Sequence, residues 1–189
     1  MKIQQFRYAA DNLGYLVYGK RRALVIDGGA VEAMIDFAKQ RQLTIEAVTH
    51  THRHPDHTAG TSEMLQRTGA SLLEPEMLGQ NAVIGLGDEK IQVLATPGHS
   101  RDSRTFFFGG TLVTGDTLFN GTVGNCFSGD LKAFFDSIKR LMAYAPETLI
   151  YAGHDYVQSS MAFARLLEPD NADIDGYLQK YDPSHVFTL

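Results

Sequence analysis

Residues Thr49 to Gly60 read THTHRHPDHTAG, and this stretch decides how the rest of the chain is interpreted. Four potential metal ligands stand within six positions of it: His52, His54, Asp56 and His57. A solvated polar loop accounts for any one histidine, because single histidines are common on surfaces and in cores. Four together favour a metal site, since a cation offsets the cost of crowding imidazoles and carboxylates. In an extended loop, with Pro55 fixing a turn, this one segment can supply ligands to two metals.

Three further candidate ligands each follow a predicted strand. They are His99 after Lys90 to Thr96, Asp116 after Thr111 to Thr114, and His154 after Thr148 to Tyr151. Loops at the ends of strands along one sheet edge converge in space. The neighbouring Gly98, Gly115 and Gly153 permit close backbone approach. We therefore expect these three residues to join the four ligands of the histidine-rich segment.

The first half of the chain predicts strands mixed with helices. Leu13 to Tyr18 and Ala23 to Asp27 form a hairpin around Gly19, and a helix covers about Val31 to Gln42. A buried strand, Ile45 to Thr51, precedes the histidine-rich segment, and a helix from Thr61 to Thr68 follows it. Another short strand is predicted at Ser71 to Glu74.

The second half predicts a strand at Thr105 to Phe108 and a tight turn at Gly109-Gly110. Asp130 is predicted to cap a helix. Six apolar residues are expected to line one face of that helix: Leu131, Phe134, Phe135, Ile138, Leu141 and Met142. A pair of helices covers about 159 to 181 and packs on the rest. The expected fold is α/β (α+β), one domain over residues 1–189, with helices outside two packed sheets.

Composition excludes several functional classes. A formal net charge of −5 argues against nucleic acid and anionic membranes as partners. No apolar stretch approaches the roughly 20 residues of a spanning helix, and Met1 to Ala10 does not resemble a secretory signal. Cys126 is the only cysteine, so no internal disulfide forms, and it is expected to be a small buried residue. A cytoplasmic location is expected, and the oligomeric state is left open.

HRHPDH resembles the HxHxDH signature of the metallo-β-lactamase superfamily, and the later histidine, aspartate and histidine complete its pattern in order. The resemblance implies a four-layer αβ/βα sandwich that binds two divalent metal ions, with zinc expected before iron or manganese. It also implies how the ligands divide: His52, His54 and His99 on one ion, Asp56, His57 and His154 on the other, and Asp116 bridging.

Within that superfamily, the stretches DNLGYLVY, TPGHS, TGDTLF and GHDY followed by FARLLEPDN are similar to glyoxalase II, which hydrolyses glutathione thioesters. By this resemblance Tyr156, Asn125 and Phe127 contact the substrate, although Asn125 stands where a lysine is usual and Phe127 where a tyrosine is usual. The basic C-terminal segment of that family is not found before Leu189. Asp27 matches a family aspartate near the metal loop, and we expect it to hydrogen-bond the loop backbone or a ligand imidazole.

The predicted activity is hydrolysis of a thioester or related ester by a water that bridges the two ions, with Asp56 and Asp116 as the catalytic carboxylates. A persulfide dioxygenase with one iron on His52 or His54, His99 and Asp116 is the alternative. A lactonase or a non-catalytic metal-binding module is the second alternative. His50 and His185 fall outside the ligand pattern, so surface or structural roles are expected for both.

Overall fold

Five strands form the first sheet of a computed structural model that describes residues 1–183 and 187–189. In spatial order they are β1 (Lys2–Tyr8), β2 (Asn12–Tyr18), β3 (Arg22–Ile26), β4 (Thr44–Thr49) and β5 (Ser71–Leu73). Strands β1 to β3 are antiparallel, which confirms the predicted hairpin, whereas β3, β4 and β5 run parallel. Parallel neighbours need crossover connections. Three helices supply them: α1 (Val31–Gln40), α2 (Pro55–Thr58) and α3 (Thr61–Thr68).

The second sheet has six strands and is mostly antiparallel. In chain order they are β6 (Val83–Leu86), β7 (Glu89–Ala95), β8 (Arg104–Phe108), β9 (Thr111–Gly115), β12 (Leu149–Ala152) and β13 (Phe187–Thr188). Their spatial order is β13-β12-β9-β8-β7-β6, with β9 and β12 parallel. A separate short hairpin joins β10 (Leu118–Phe119) to β11 (Thr122–Val123). His185 lies outside the described residues.

Helices cover the outer faces of the two sheets. Side chains such as Tyr15, Phe106 and Val113 fill the core between the sheets. A second cluster, with Met34 and Met64, lies where α1 and α3 pack on the first sheet. On the second sheet, Leu141 of α4 (Leu131–Leu141) belongs to a third cluster. The predicted αβ/βα sandwich is therefore confirmed. The last helices are α5 (Val157–Leu167) and α6 (Asp173–Lys180).

Local sequence signals explain most of these elements. Gly109 and Gly110 both have positive φ, 52° and 74°, as the tight two-residue turn between β8 and β9 requires. The prediction missed β1 because its polar, half-buried residues lack a clean alternation, and missed β6 because Gly85 interrupts a four-residue strand. In the part of the chain that the structure describes, no helix has the length and apolar character to cross a membrane.

The predicted apolar face of α4 is only partly correct. Phe134 and Leu141 are buried, and Asp130 caps the helix by accepting a hydrogen bond from the Ala133 amide at 2.9 Å. Other residues of the predicted face are exposed: Leu131 at 72%, Phe135 at 65% and Met142 at 54%. The helix packs against the second sheet along a narrow stripe. The apolar face predicted from its sequence is wider than this stripe, so its margins are exposed.

The two sheets are joined at one edge by backbone contacts. Leu13 N donates a hydrogen bond to Gly153 O at 2.8 Å, and Asn12 forms an isolated antiparallel bridge with His154. These contacts bring the start of β2 against the loop that follows β12. The histidine-rich segment after β4 lies at the same edge, so the topology gathers the candidate ligands there.

Candidate metal centre

The histidine-rich segment changes conformation at Pro55. His54 is extended, with φ −68° and ψ 147°, and Pro55 begins the one-turn helix α2. Proline suits the first helical position because its φ is fixed and its missing N–H is not needed there. The turn expected at Pro55 is therefore present, and Asp56 and His57 lie within it.

The structure brings all seven sequence-predicted ligands together. Their donor atoms form three overlapping groups, and within each group the atoms lie within 4.8 Å of one another. The groups are His52, His54 and His99; His52, His57 and Asp116; and Asp56, His57 and His154. The first and third groups match the two trios expected from the sequence. The middle group places Asp116 between those trios.

The distances between ring nitrogens match those expected for two imidazoles bound to one cation. His54 Nδ1 lies 3.1 Å from His99 Nε2, and His57 Nε2 lies 3.3 Å from His154 Nε2. Two nitrogens bound tetrahedrally to one zinc at about 2.0–2.1 Å are about 3.3 Å apart. Asp116 has Oδ1 3.4 Å from His57 Nε2, while Oδ2 is 3.4 Å from His154 Nε2 and 3.6 Å from His99 Nε2. Its two oxygens thus face both trios.

Two buried donor atoms point to the same conclusion. His52 Nε2 and Asp116 Oδ1 are shielded from solvent and make no hydrogen bond to any described residue. A buried polar atom without a partner costs free energy. Imidazole nitrogen and carboxylate oxygen are ligands for zinc, iron or manganese, so a divalent cation among these atoms would remove that cost.

The second ring nitrogen of three of the ligands is held by an acceptor outside the cluster. His57 Nδ1 donates to Asp27 Oδ2 at 3.0 Å, His154 Nδ1 donates to Asp11 Oδ1 at 2.9 Å, and His99 Nδ1 donates to the Asn125 carbonyl at 2.9 Å. Such hydrogen bonds fix the tautomer and the orientation of a metal-binding imidazole. Nε2 of each ring is left with its lone pair directed into the cluster.

The same groups perturb the pKa values of the cluster. Burial lowers the pKa of His52 to about 3, which keeps this ring neutral. Burial also opposes charge on His57, but the carboxylates of Asp27 and Asp116 outweigh it and raise the pKa of His57 to about 10. Burial would raise the pKa of Asp116, yet the His154 and His57 imidazoles beside it hold that pKa well below its usual range. Burial and the neighbouring carboxylates thus act on the pKa values of these rings in opposite directions.

Asp56 is positioned by residues that the sequence analysis did not assign. Asn12 Nδ2 donates to Asp56 Oδ2 at 2.9 Å, and the Tyr8 hydroxyl donates to the Asp56 carbonyl at 3.0 Å. Asp11, the partner of His154, belongs to the same turn as Asn12. The DNLGYLVY stretch carried a family resemblance, but no local signal shows which distant residue each side chain meets.

A groove of about 240 Å³ opens over the cluster. The three predicted substrate contacts, Tyr156, Asn125 and Phe127, all line it. Tyr156 stacks on His154 with the ring centroids 4.8 Å apart, and Phe127, 67% exposed, lies over His54 and His99. Phe119 also lines the groove and was not predicted. Cys126 is only half-buried, so the expectation of full burial is wrong.

His50 has the structural role that the sequence left open, rather than the surface one. Its side chain is 2% exposed, and its Nε2 lies 3.1 Å from the Thr61 hydroxyl. Its Nδ1 is 4.0 Å from Asp27 Oδ1, so it packs beside the carboxylate that orients His57.

The three glycines expected to allow close approach do so. A Cβ on Gly98 would overlap Phe134 of α4, and one on Gly115 would overlap the Thr51 side chain. At Gly153 a Cβ would overlap Asp116 Oδ1 and crowd His57. The loops that carry the ligands thus pack with no space for a side chain between them.

Comparisons with known proteins agree with this arrangement. A family model described as the metallo-beta-lactamase superfamily matches residues 11–82. The hydroxyacylglutathione hydrolase of Idiomarina loihiensis is 32% identical over 170 residues, which cover 85% of this chain and 67% of that protein. The chain belongs to the metallo-β-lactamase superfamily. The hydroxyacylglutathione hydrolase of Brucella ovis, another relative of this superfamily member, is 32% identical over 190 residues, covering 91% of this chain and 73% of that protein.

Solved structures extend the comparison to the fold. ETHE1 from Myxococcus xanthus superposes with a TM-score of 0.75 and 28% identity, covering 82% of this chain and 76% of that one. TTHA1623 in a di-iron-bound form gives a TM-score of 0.65 and 26% identity, covering 76% of this chain and 87% of that one. Membership of the superfamily implies divalent metal binding, and the histidine and aspartate cluster supplies the donors.

Proposed function

We propose that this superfamily member is a dinuclear metal-dependent hydrolase of thioesters. The observation that carries the proposal is the pair of ligand trios on either side of Asp116. In the proposal His52, His54 and His99 hold one ion, Asp56, His57 and His154 hold the second, and Asp116 bridges them. A cytoplasmic location and a single domain over residues 1–189 stay predictions.

Divalent ions in such a site supply Lewis acidity, which lowers the pKa of water and polarises a carbonyl. The chain's own residues keep that chemistry aligned. Asp27 and Asp11 hold the outer nitrogens of His57 and His154, and Asn12 holds Asp56, so all three donors of the second trio keep fixed directions. Preorganised groups of this kind lower a barrier because they need not reorient during the reaction.

A thioester suits this groove chemically. Hydrolysis joins a water oxygen to the acyl carbon and breaks the carbon–sulfur bond, and the thiol leaves as a thiolate. A thiol has a pKa of about 8.5, so the thiolate is a good leaving group and needs little protonation by a general acid. The aromatic rings of Phe119, Phe127 and Tyr156 line the groove and offer an apolar surface to the sulfur and acyl groups. The names of the relatives from Idiomarina and Brucella support this substrate class.

The test is turnover of S-lactoylglutathione and of acyl thioesters on other thiols by protein loaded with zinc, iron or manganese. Elemental analysis of the same samples gives the metal content. We expect two metals per chain and hydrolysis of at least one thioester. Absence of hydrolysis with every carrier and every metal would defeat the proposal.

Part of the cluster is also compatible with the alternative activity, a persulfide dioxygenase with one iron. His54 Nδ1, His99 Nε2 and Asp116 Oδ2 lie close together, with 3.1 Å between the nitrogens and 3.6 Å from His99 to the carboxylate. Two histidines and one carboxylate form the ligand set of many non-heme iron oxygenases. One iron per chain together with oxygen uptake on glutathione persulfide would select this candidate, whereas an active enzyme with zinc alone would exclude it.

A further inference from the structure

A second cavity, of about 690 Å³, lies beside the metal-site groove and is larger than it. The β10–β11 hairpin, the C-terminal half of α4, α6 and the last described strand enclose it. Its apolar lining includes Leu118, Phe119, Val123, Ile138, Met142 and Tyr177. Ligand pockets commonly measure about 300–1,000 Å³ and are mostly apolar, so this cavity has the size and character of a binding site.

Phe119 connects the cavity to the metal cluster, because its ring lines both spaces. The ring is 6% exposed, and its centroid lies 5.1 Å from that of Tyr156 and 6.2 Å from that of His154. Asp116, the carboxylate between the two trios, is three residues earlier in the chain. The two spaces are therefore neighbours, and Phe119 is the residue that stands between them.

The lining exposes apolar surface that favours an aliphatic occupant. Met142 is 54% exposed and Val123 is 45% exposed, although both line the cavity. Among the residues that the structure describes, Lys180 is the one charged side chain in the lining. An anionic or polar group would meet few partners inside, whereas each buried methylene gains about 0.8 kcal/mol, or roughly fourfold in binding.

We propose that this cavity is the acyl pocket of the enzyme and receives an unbranched aliphatic chain of medium length. The acyl carbonyl lies at the metal cluster, the thiol carrier occupies the open groove beside Phe127 and Tyr156, and the chain passes Phe119. The catalytic part of this inference rests on the proposed thioester hydrolysis. The binding part does not, because the cavity takes the chain of a free fatty acid as well.

The kinetic test compares acetyl, butanoyl and octanoyl thioesters of N-acetylcysteamine with the metal-loaded enzyme. We expect kcat/KM to rise at least about tenfold from butanoyl to octanoyl, since up to four more methylenes are buried. Ile138→Phe narrows the cavity from a half-buried position and should remove most of that rise. Leu131→Phe, at an exposed position of the same helix outside the cavity, is the matched control. A flat chain-length profile, or an unaltered profile in Ile138→Phe, would overturn the assignment.

A binding test separates the pocket from the reaction. Dansylundecanoate fluorescence is followed on metal-free protein, with decanoate as competitor, for the wild type, Ile138→Phe and Leu131→Phe. Weaker binding in Ile138→Phe alone supports the pocket, even if no thioester is hydrolysed and the proposed function fails. Hydrolysis of short thioesters with no probe binding keeps the proposed function and refutes the pocket. A dimer in sedimentation that Met142→Glu dissociates would also refute it, because a second copy would then cover the cavity.

Discussion

His57 Nδ1 donates a hydrogen bond to the fully buried carboxylate of Asp27, with 3.0 Å between nitrogen and oxygen. Asp27 is itself fixed by the amide of Thr51 at 2.8 Å and by its hydroxyl at 2.7 Å. The strand that ends at Ile26 and the loop that begins after Thr49 thus meet at one carboxylate. This contact directs His57 Nε2 into the metal cluster.

Asp27→Asn should weaken metal binding without unfolding the protein. An amide cannot match the carboxylate in orienting His57, and loss of such a partner lowers metal affinity by about 10-fold to 100-fold. Zinc titration against a chromophoric chelator measures the change. Asp36→Asn, on the exposed face of α1, is the control and should bind zinc as the wild type does. Equal zinc affinity in both variants would show that Asp27 does not act through His57.

Asp116→Ala should remove the contact between the two metal positions. We expect the metal content to fall below two per chain and kcat to fall by at least about a hundredfold, because preorganised electrostatic groups are worth that much or more. Elemental analysis and thioester turnover provide the two readouts. Asp88→Ala changes an exposed loop carboxylate and should leave both unchanged. Near-normal turnover in Asp116→Ala would refute the dinuclear mechanism.

Gly153→Ala should damage the site although it adds one methyl group. The new Cβ would overlap Asp116 Oδ1 and crowd His57, so the loops must separate. We expect lower zinc affinity and a clear loss of turnover. Gly79→Ala is the matched change, since a Cβ there meets nothing within 4 Å. If both variants retain full activity, the ligand loops are less tightly packed than the structure indicates.

Tyr181 should make stability depend on pH at the alkaline end. Burial and the hydrogen bond to Asp155, 2.7 Å from hydroxyl to carboxylate, raise the pKa of Tyr181 to about 12 from its ordinary value near 10. The folded state thus disfavours the phenolate. The contribution of this contact is complete below about pH 10 and is lost as the pH rises through about 12.

Denaturant unfolding of the wild type and Tyr181→Phe at a series of alkaline pH values measures this dependence. The difference in unfolding free energy between the two proteins should shrink across that window. Tyr144→Phe controls for the loss of a hydroxyl elsewhere. A constant difference between the wild type and Tyr181→Phe would mean that the contact with Asp155 does not persist in solution.

Local patterns in the sequence predicted the elements that local forces determine. Two apolar runs on either side of Gly19 predicted β2 and β3, and the glycine pair predicted the turn between β8 and β9. The polar edge strand β1 was missed because its place depends on pairing with β2 rather than on its own composition. The exposed residues of α4 were misplaced for a related reason, since periodicity shows an apolar face but not what covers it.

For the candidate site, too, local motifs were predictable from the sequence and long-range contacts were not. The dense motif from His52 to His57 and the strand-end positions of the later ligands indicated a metal centre, and a family resemblance supplied their division into two trios. The sequence analysis did not predict the roles of Asp11 and Asn12, because these roles depend on contacts with residues far along the chain. Asp11 contacts His154 across 143 positions, and Asn12 contacts Asp56 across 44.

The backbone bridge between Asn12 and His154 has a consequence for the order of folding. Each trio joins the histidine-rich segment to His99 or His154 across a long loop. We therefore expect neither trio to be complete until the two halves of the sandwich have docked. A cation then recognises only the nearly finished molecule. Interactions that are absent from the transition state slow unfolding and leave the folding rate almost unchanged. Metal loading should therefore prolong the lifetime of the native state without accelerating its formation.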